Sequence, residues 1–249
     1  MGTSFSSSLL DALLGPDSLR AALEATSNPH GSALVVRFLQ LLQLVVVEPW
    51  HTFERFVPTA ISLCTDHIHP LLEQHPSPDV SAALLDVLSD ALFHQWHRFF
   101  VPRTVRDGAN PVVNGQDMES VPEGRAHFLA AMRVFGHALL GEDIALFGRT
   151  LAALLRLHEK WGLFQKTLFR REVMPPLVSA LLWVGVASRG PPSLLHADDL
   201  ASVLGALHSS DPCNFRSSFL PGFLSDPRLG LSGAQAASLA NDFNSVVGQ

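Results

Sequence analysis

Apolar residues recur every three or four positions along most of the chain, which is the spacing of one face of an α-helix. The clearest stretches are 34–47, where only a narrow polar stripe interrupts the apolar positions, and 53–72, where a single face is apolar. Val, Ile and Thr do not alternate with polar residues, and Tyr is absent, so no strand is needed. The pattern predicts an all-α fold.

Helix starts can be placed from capping signals. Ser77 and Asp211 each precede a proline, which suits the first helical position, and Ser232 with Gln235 has the spacing of a capping box. Together with the periodicity, these signals predict helices over residues 16–27, 32–48, 52–74, 78–100, 123–140, 142–158, 164–188, 192–208, 212–225 and 232–247.

The segment 101–122 interrupts the helical pattern. It collects Gly, Asn, Pro, Asp and Glu and has few apolar residues, so it is predicted to be a long exposed loop. We therefore expect an N-terminal helical capping segment over 1–30, with leucines clustered at 9–14. A helical-repeat array follows over 31–249, with the loop as an insertion.

A short phrase occurs twice in the second half of the chain. It consists of Phe-Arg, three further residues, Met or Leu, and Pro, and it begins at Phe169 and again at Phe215, 46 residues later. Phe56 and the Val-Pro that follows it begin an earlier helix in a similar way. Helix-pair solenoids repeat about every 40 to 47 residues. The spacing predicts a right-handed α-solenoid of HEAT-type antiparallel helix pairs, with proline kinking one helix of a pair.

Composition narrows the class of function. Hydrophobic residues make up 47% of the chain, charged residues 16%, and the net charge is −6, so there is no basic field of the kind that nucleic acid requires. The longest apolar stretch, 33–47, is shorter than the about 20 residues that a membrane span needs. Cys64 and Cys213 do not form a disulfide framework, and we expect a reduced intracellular protein. Gly2 and Ser6 match a myristoylation pattern, which leaves a membrane-anchored interaction module open.

Few residues suggest chemistry. Asp66 and His69 could share a helix face, and His94 and His97 lie about one turn apart, but no Cys/His quartet has the spacing of a zinc site. Cys64 falls in phase with core positions, and the chain has no nucleophile elbow, phosphate loop or dinucleotide motif. We expect no catalysis, no metal and no cofactor.

Five phrases occur in an order and spacing that point to a known family. They are LLQLVVVEP at 41–49, FVP at 56–58, PSPDV at 76–80, HQWHRFF at 94–100 and FLPGFL at 219–224. Taken together over residues 32–247, they resemble the C-terminal HEAT repeats of the exportin-6 family, nuclear export receptors of the importin-β superfamily.

The resemblance implies a non-enzymatic receptor segment that helps to carry protein cargo, actin alone or with profilin, from the nucleus to the cytoplasm with Ran-GTP. It also implies shuttling between these compartments. Such receptors are several times longer, so we expect a C-terminal piece or truncated product that forms no obligate homo-oligomer. We also expect the first helix pair to expose apolar surface, which would make the isolated chain prone to self-association. A Ran-independent HEAT-repeat scaffold or adaptor is the alternative function.

Polar stripes on the second helix of a pair are the candidate contact surfaces for protein partners. The candidate residues are Asp86, Asp90, His94 and His97 on one helix and Arg149 and Arg156 on another. Basic residues also cluster around a helix junction and could meet an acidic partner, although a solvated loop flank is the simpler interpretation. These residues are Lys160, Lys166, Arg170 and Arg171.

Overall fold

A computed structural model of the chain describes residues 29–48, 53–107, 110–120, 122–186 and 195–247. The predicted helix 16–27, and with it nearly all of the predicted capping segment, lies outside these residues. The chain divides into two compact units, Met1–Phe135 and Gly136–Gln249.

In the part of the first unit that the structure describes, three helices precede a β-hairpin. Helix α1 spans Pro29–Val47, and helix α3 spans Pro78–His94 and is followed by a 3₁₀ turn, Trp96–Arg98. Helix α2, over 54–74, is made of a 3₁₀ turn Glu54–Phe56, an α-helical stretch Val57–Ser62, a π-helical stretch Leu63–Ile68 and an α-helical stretch His69–Gln74. The strands are β1, Phe100–Asp107, and β2, Asn110–Ser120, and helix α4, Pro122–Leu140, follows them and continues into the second unit.

The second unit continues with helices alone in its described residues. They are α5 Ile144–Trp161, α6 Met174–Val186, α7 Ala197–Ser210, α8 over 212–224 and α9 Gly233–Val247. Shorter 3₁₀ turns lie at Leu163–Gln165 and Pro227–Leu229. All nine helices predicted after residue 31 are therefore present, and the prediction of a helical-repeat fold is confirmed.

The segment 101–122 differs from its prediction. Strands β1 and β2 pair in an antiparallel hairpin in which Phe100 lies opposite Ser120 and Asp107 lies opposite Asn110. Asn110, one of the residues that suggested a loop, begins β2. The expectation that no strand is needed is wrong here, because strand pairing depends on backbone hydrogen bonds between separate segments.

Three π-helical turns share one position relative to proline. Each turn ends two residues before a proline, and these prolines are Pro70, Pro175 and Pro221. Proline removes a backbone donor and its ring crowds the preceding turn, and a wider turn relieves that crowding. Phe169 and Phe215, both fully buried, begin two of these turns at matching positions, so the repeated phrase marks the same local structure twice.

The earlier copy proposed at Phe56 does not share that geometry. Phe56 ends a 3₁₀ turn and Pro58 lies in the first turn of the following α-helical stretch. The π-helical turn of α2 comes later, before Pro70. A short phrase containing Phe and Pro therefore does not by itself distinguish a helix start from a kink inside a helix. The right-handed superhelix stays a prediction.

The core of the first unit lies between α1 and α3 and extends to α4. Buried leucines of α1 and α3 face each other, namely Leu39 and Leu42 on α1 and Leu84, Leu88 and Leu92 on α3. Trp96 stacks on Phe100 with ring centroids 4.5 Å apart, and Phe100 meets Phe128 of α4 edge-on at 5.1 Å. Next to this cluster, a Cβ on Gly124 would collide with the carbonyl oxygen of Arg98, so only glycine permits this close approach of α4.

An apolar stripe remains in solvent on α1. Leu34, Leu41 and Leu44 are 54%, 47% and 68% exposed and lie at helical spacing on the face opposite the core. Helix α1 therefore exposes apolar surface, and the self-association expected from the first helix pair stays a prediction. Among the helices that the structure describes, none combines the length and apolar character needed to cross a bilayer.

Two of the three predicted caps form. Asp211 accepts a hydrogen bond from the backbone N–H of Asn214 at 3.3 Å, and Ser232 and Gln235 exchange the two hydrogen bonds of a capping box. Ser77 directly precedes α3, as predicted, and is extended, but its hydroxyl makes no capping bond. Helix α3 therefore begins at Pro78 without help from the Ser77 hydroxyl.

Candidate functional site

The predicted acidic stripe on α3 is partly used inside the fold. Asp86 and Asp90 are half-buried, whereas His94 is exposed at the end of the helix. Gln43 of α1 donates a hydrogen bond to Asp90 Oδ2 at 2.7 Å. Asp90 therefore helps to join α1 to α3, and its carboxylate is less available to a partner than its position on the stripe suggested.

His97 does not continue this stripe. Helix α3 ends at His94, and His97 lies in the 3₁₀ turn that follows. Its Nε2 lies 3.2 Å from Oε1 of Glu54, and Arg98 makes an ion pair with the same carboxylate at 2.9 Å. The prediction that these four residues lie along one helix is wrong for His97, because helix α3 ends at His94.

Arg149 and Arg156 do share a helix face. Both lie on α5 and both are exposed, together with Ala145, Ala152 and Lys160. At about 100° per residue, these five positions fall within about 80° of the helix circumference. We call these five residues the basic strip. The opposite side of α5 is fully buried at Phe147, Leu151, Leu154 and Leu157.

Both ends of α5 are held by local contacts. Asp143 caps the first turn by accepting a hydrogen bond from the N–H of Leu146 at 3.0 Å. Gly162 ends the helix with a φ of 63°, a left-handed conformation that suits glycine. His158 stacks on Phe164 with centroids 4.3 Å apart, and its Nδ1 accepts a hydrogen bond from the N–H of Phe164 at 3.3 Å. These contacts position the basic strip at both ends.

The state of His158 agrees with this arrangement. Burial lowers the pKa of His158, and this effect exceeds the opposite influence of nearby Glu159. A neutral ring leaves Nδ1 able to accept the hydrogen bond from Phe164. Since the imidazole is neutral, the positive charge of α5 resides on Arg149, Arg156 and Lys160.

The four basic residues at the next helix junction separate into two groups. Lys160 and Arg171 are exposed, and Lys160 Nζ lies 5.0 Å from the centroid of the Trp161 ring. Lys166 is only 8% exposed, and burial lowers its pKa. Arg170 binds the carboxylate of Asp211, so Lys166 and Arg170 belong to the packing of the unit.

The Arg170 to Asp211 ion pair joins two successive repeats. Asp211 Oδ2 accepts hydrogen bonds from Arg170 Nη2 at 2.6 Å and Nε at 3.2 Å, and from Asn214 Nδ2 at 2.7 Å. Burial alone raises the pKa of Asp211, but the hydrogen bonds from Arg170 and Asn214 and the charge of Arg170 outweigh burial and hold that pKa below its usual range. No local pattern in the sequence links residues in different repeats, so this pair could not be predicted from the sequence.

The one buried thiol in the described residues is not set up for chemistry. Cys64 is fully buried among apolar neighbours of α2, and burial raises the pKa of its thiol far above neutrality. Arg149 and Arg156 lie instead on an exposed helix face, and such a position suits recognition of a macromolecule.

Comparison with known proteins assigns the family. Residues 92–246 match the family described as "Exportin-6, C-terminal TPR repeats". That description names a different helix-pair repeat from the predicted HEAT type, but both types stack antiparallel helix pairs into solenoids. No solved structure matches this chain.

Similar proteins extend the likeness over nearly the whole chain. Exportin-6-A of Xenopus laevis is 32% identical over 246 residues, which is 98% of this chain and 21% of that protein. Exportin-6 of Danio rerio is 34% identical over 219 residues, 86% of this chain and 18% of that protein. Exportin-6 of Homo sapiens is 32% identical over 226 residues, 90% and 19% respectively. The chain thus spans about a fifth of the length of these relatives. Because the family match also covers more than half of the chain, the chain belongs to the exportin-6 family.

Proposed function

We propose that this chain is the C-terminal helical-repeat region of a nuclear export receptor and contributes to the export of protein cargo from the nucleus to the cytoplasm. The observation that carries the proposal is the family match over residues 92–246, which falls on the helix pairs described above. Stacked helix pairs present long, rigid surfaces, and a carrier needs such surfaces to hold a folded protein.

The finer parts of the proposal come from the family. The cargo is actin, alone or with profilin, its binding depends on Ran-GTP, and the receptor shuttles between the nucleus and the cytoplasm. Within this chain we place partner contacts on the basic strip, through Arg149 and Arg156, with Asp86 and His94 of α3 as a second surface. Asp90 and His97 belong to the same second surface; Asp90 accepts a hydrogen bond from Gln43, and His97 Nε2 lies 3.2 Å from Glu54 Oε1.

The test is retention of purified profilin–actin by the immobilised full-length gene product, with Ran loaded with GTP, with Ran loaded with GDP and without Ran. Retention that rises only with Ran-GTP is the expected result. Equal retention in all three arms would instead favour the Ran-independent scaffold. No retention of profilin–actin or of Ran in any arm would overturn the proposal.

Localisation provides a second measurement. The cytoplasmic fluorescence of a tagged full-length gene product is bleached repeatedly. If the protein shuttles, its nuclear fluorescence should fall as tagged molecules move into the cytoplasm. Permanent restriction to one compartment would contradict a transport role and leave the scaffold function standing.

A further inference from the structure

Positive charge is concentrated in one part of an acidic chain. The net charge of the whole chain is −6, yet residues 144–171 contain six basic residues and one acidic residue, Glu159. Of the six, Lys166 is buried and Arg170 is paired with Asp211. The others, which include all three basic members of the basic strip, are exposed on the surface of the second unit.

The basic strip has the geometry of a helix-binding surface. Arg149 and Arg156 are seven residues apart, which is two helical turns and about 10.5 Å along the axis. Ala152 lies between them and Ala145 lies one turn before, so the floor of the strip is shallow and a second backbone can approach closely. A helix lying alongside α5 would present its own side chains at the same seven-residue spacing.

The strip is also organised before any partner binds. The cap at Asp143, the left-handed glycine at 162 and the stacked pair His158 and Phe164 hold α5 at both ends, and its opposite side is part of the core. A partner would therefore meet a helix whose backbone is already fixed, which lowers the entropic cost of binding. Arginine is suited to this role because its guanidinium can bind a carboxylate through two parallel hydrogen bonds.

From this geometry we propose that the basic strip binds an acidic α-helix of a protein partner, with carboxylates seven residues apart facing Arg149 and Arg156. Lys160 adds a third positive charge at the end of the strip, beside the half-buried Trp161 ring. The proposal rests on the proposed function only in taking the partner to be a protein. Protein is favoured over nucleic acid because the strip is short and straight, is bordered by Glu159, and belongs to a chain of negative net charge.

The test uses the complete 249-residue chain and a labelled helical peptide of about 21 residues with glutamates at heptad spacing, followed by fluorescence anisotropy. A second peptide has the same composition with the glutamates rearranged. The double variant Arg149→Glu/Arg156→Glu should weaken binding of the first peptide about tenfold, since two attractions become repulsions. Raising the salt from about 0.05 M to about 0.2 M should weaken binding to the unmodified chain as well.

The matched control is Arg37→Glu/Arg133→Glu, which makes the same change in net charge at exposed positions of the first unit. It should leave peptide binding within about twofold, because the five residues of the basic strip are unchanged and salt screens exposed charges outside it. Circular dichroism of both double variants establishes that each remains folded. An equal loss of binding in the control would show a response to net charge alone and would overturn the proposal.

Three other outcomes would also overturn it: no binding of the heptad peptide to the unmodified chain, equal binding of the rearranged peptide, or tighter binding of duplex RNA or phosphatidylserine vesicles than of the heptad peptide. The proposed function is separable from this result. If the receptor retains profilin–actin with Ran-GTP but the heptad peptide does not bind, the export function stands and the helix-binding strip is wrong. If the peptide binds as expected but no export partner is retained, the strip stands and the export function is wrong.

Discussion

The Arg170 to Asp211 ion pair joins two successive repeats. Replacing Arg170 should lower the free energy of unfolding by more than the partial exposure of its side chain suggests. The side chain of Asp211 is 8% exposed and that of Arg170 is 39% exposed. In Arg170→Leu the carboxylate loses two charge-assisted hydrogen bonds and keeps only those from Asn214. Hydrogen bonds to charged groups contribute about 1.5 to 3 kcal/mol each, but water can partly replace a half-exposed guanidinium. We therefore expect the free energy of unfolding to fall by about 2 to 3 kcal/mol at pH 7.

The pH dependence gives a second, independent signature. Because the pKa of Asp211 is lower in the folded chain than its ordinary value, the ionised carboxylate stabilises the fold above the ordinary pKa. This contribution is lost as the pH falls through the folded pKa. In Arg170→Leu, the hydrogen bond and charge of Arg170 no longer lower the pKa of Asp211, so this pKa rises. The destabilisation relative to the unmodified chain should therefore be largest near neutral pH and become smaller toward about pH 3.

The measurement is urea unfolding at neutral and acidic pH, followed by circular dichroism, with hydrogen exchange of the α8 amides to locate the effect. The control is Arg171→Leu, which removes the adjacent exposed arginine and should change the free energy of unfolding by less than about 0.5 kcal/mol. Adding Asp211→Asn to Arg170→Leu should cost less than the sum of the two changes, because no buried charge is then left unpaired. Equal destabilisation by the two single arginine variants, or a difference that is independent of pH, would refute the reasoning.

Three further predictions follow from particular contacts. Gly124→Ala should destabilise the first unit by about 3 kcal/mol in a thermal or urea melt, because the new methyl group would collide with backbone atoms of Arg98 and Phe99. The control is Gly136→Ala in the same helix, where the methyl group has open space; it should be neutral or stabilise the chain by up to about 1 kcal/mol. Self-association of the chain in sedimentation velocity should decrease in Leu41→Lys/Leu44→Lys, and an unchanged oligomer distribution would show that the exposed face of α1 is not responsible. Iodoacetamide at mildly alkaline pH should label the exposed cysteine of α8 readily and Cys64 only after unfolding; equal labelling of the native chain would contradict the burial described here.

Much of the helical framework follows from local patterns. The caps at Asp211 and Ser232 and the periodicity of apolar residues placed most helix starts within a few residues, because these signals act through neighbours in the chain. The end of α3 was placed less well, since the helix predicted over 78–100 ends at His94. The repeated Phe-Arg phrase likewise marked two π-helical turns, because proline acts on the turn immediately before it. The hairpin over 100–120 was not predicted, since its strands are stabilised by pairing with each other.

The candidate site shows the same division. The sequence by itself determined that Arg149 and Arg156 share one face of α5, because a seven-residue spacing returns to nearly the same direction on any helix. Only the tertiary structure decided that Arg170 forms a pair within the fold while the neighbouring Arg171 remains in solvent. The reason is that Asp211, the buried partner of Arg170, comes from the next repeat, and the distance between two such side chains depends on how whole helices pack.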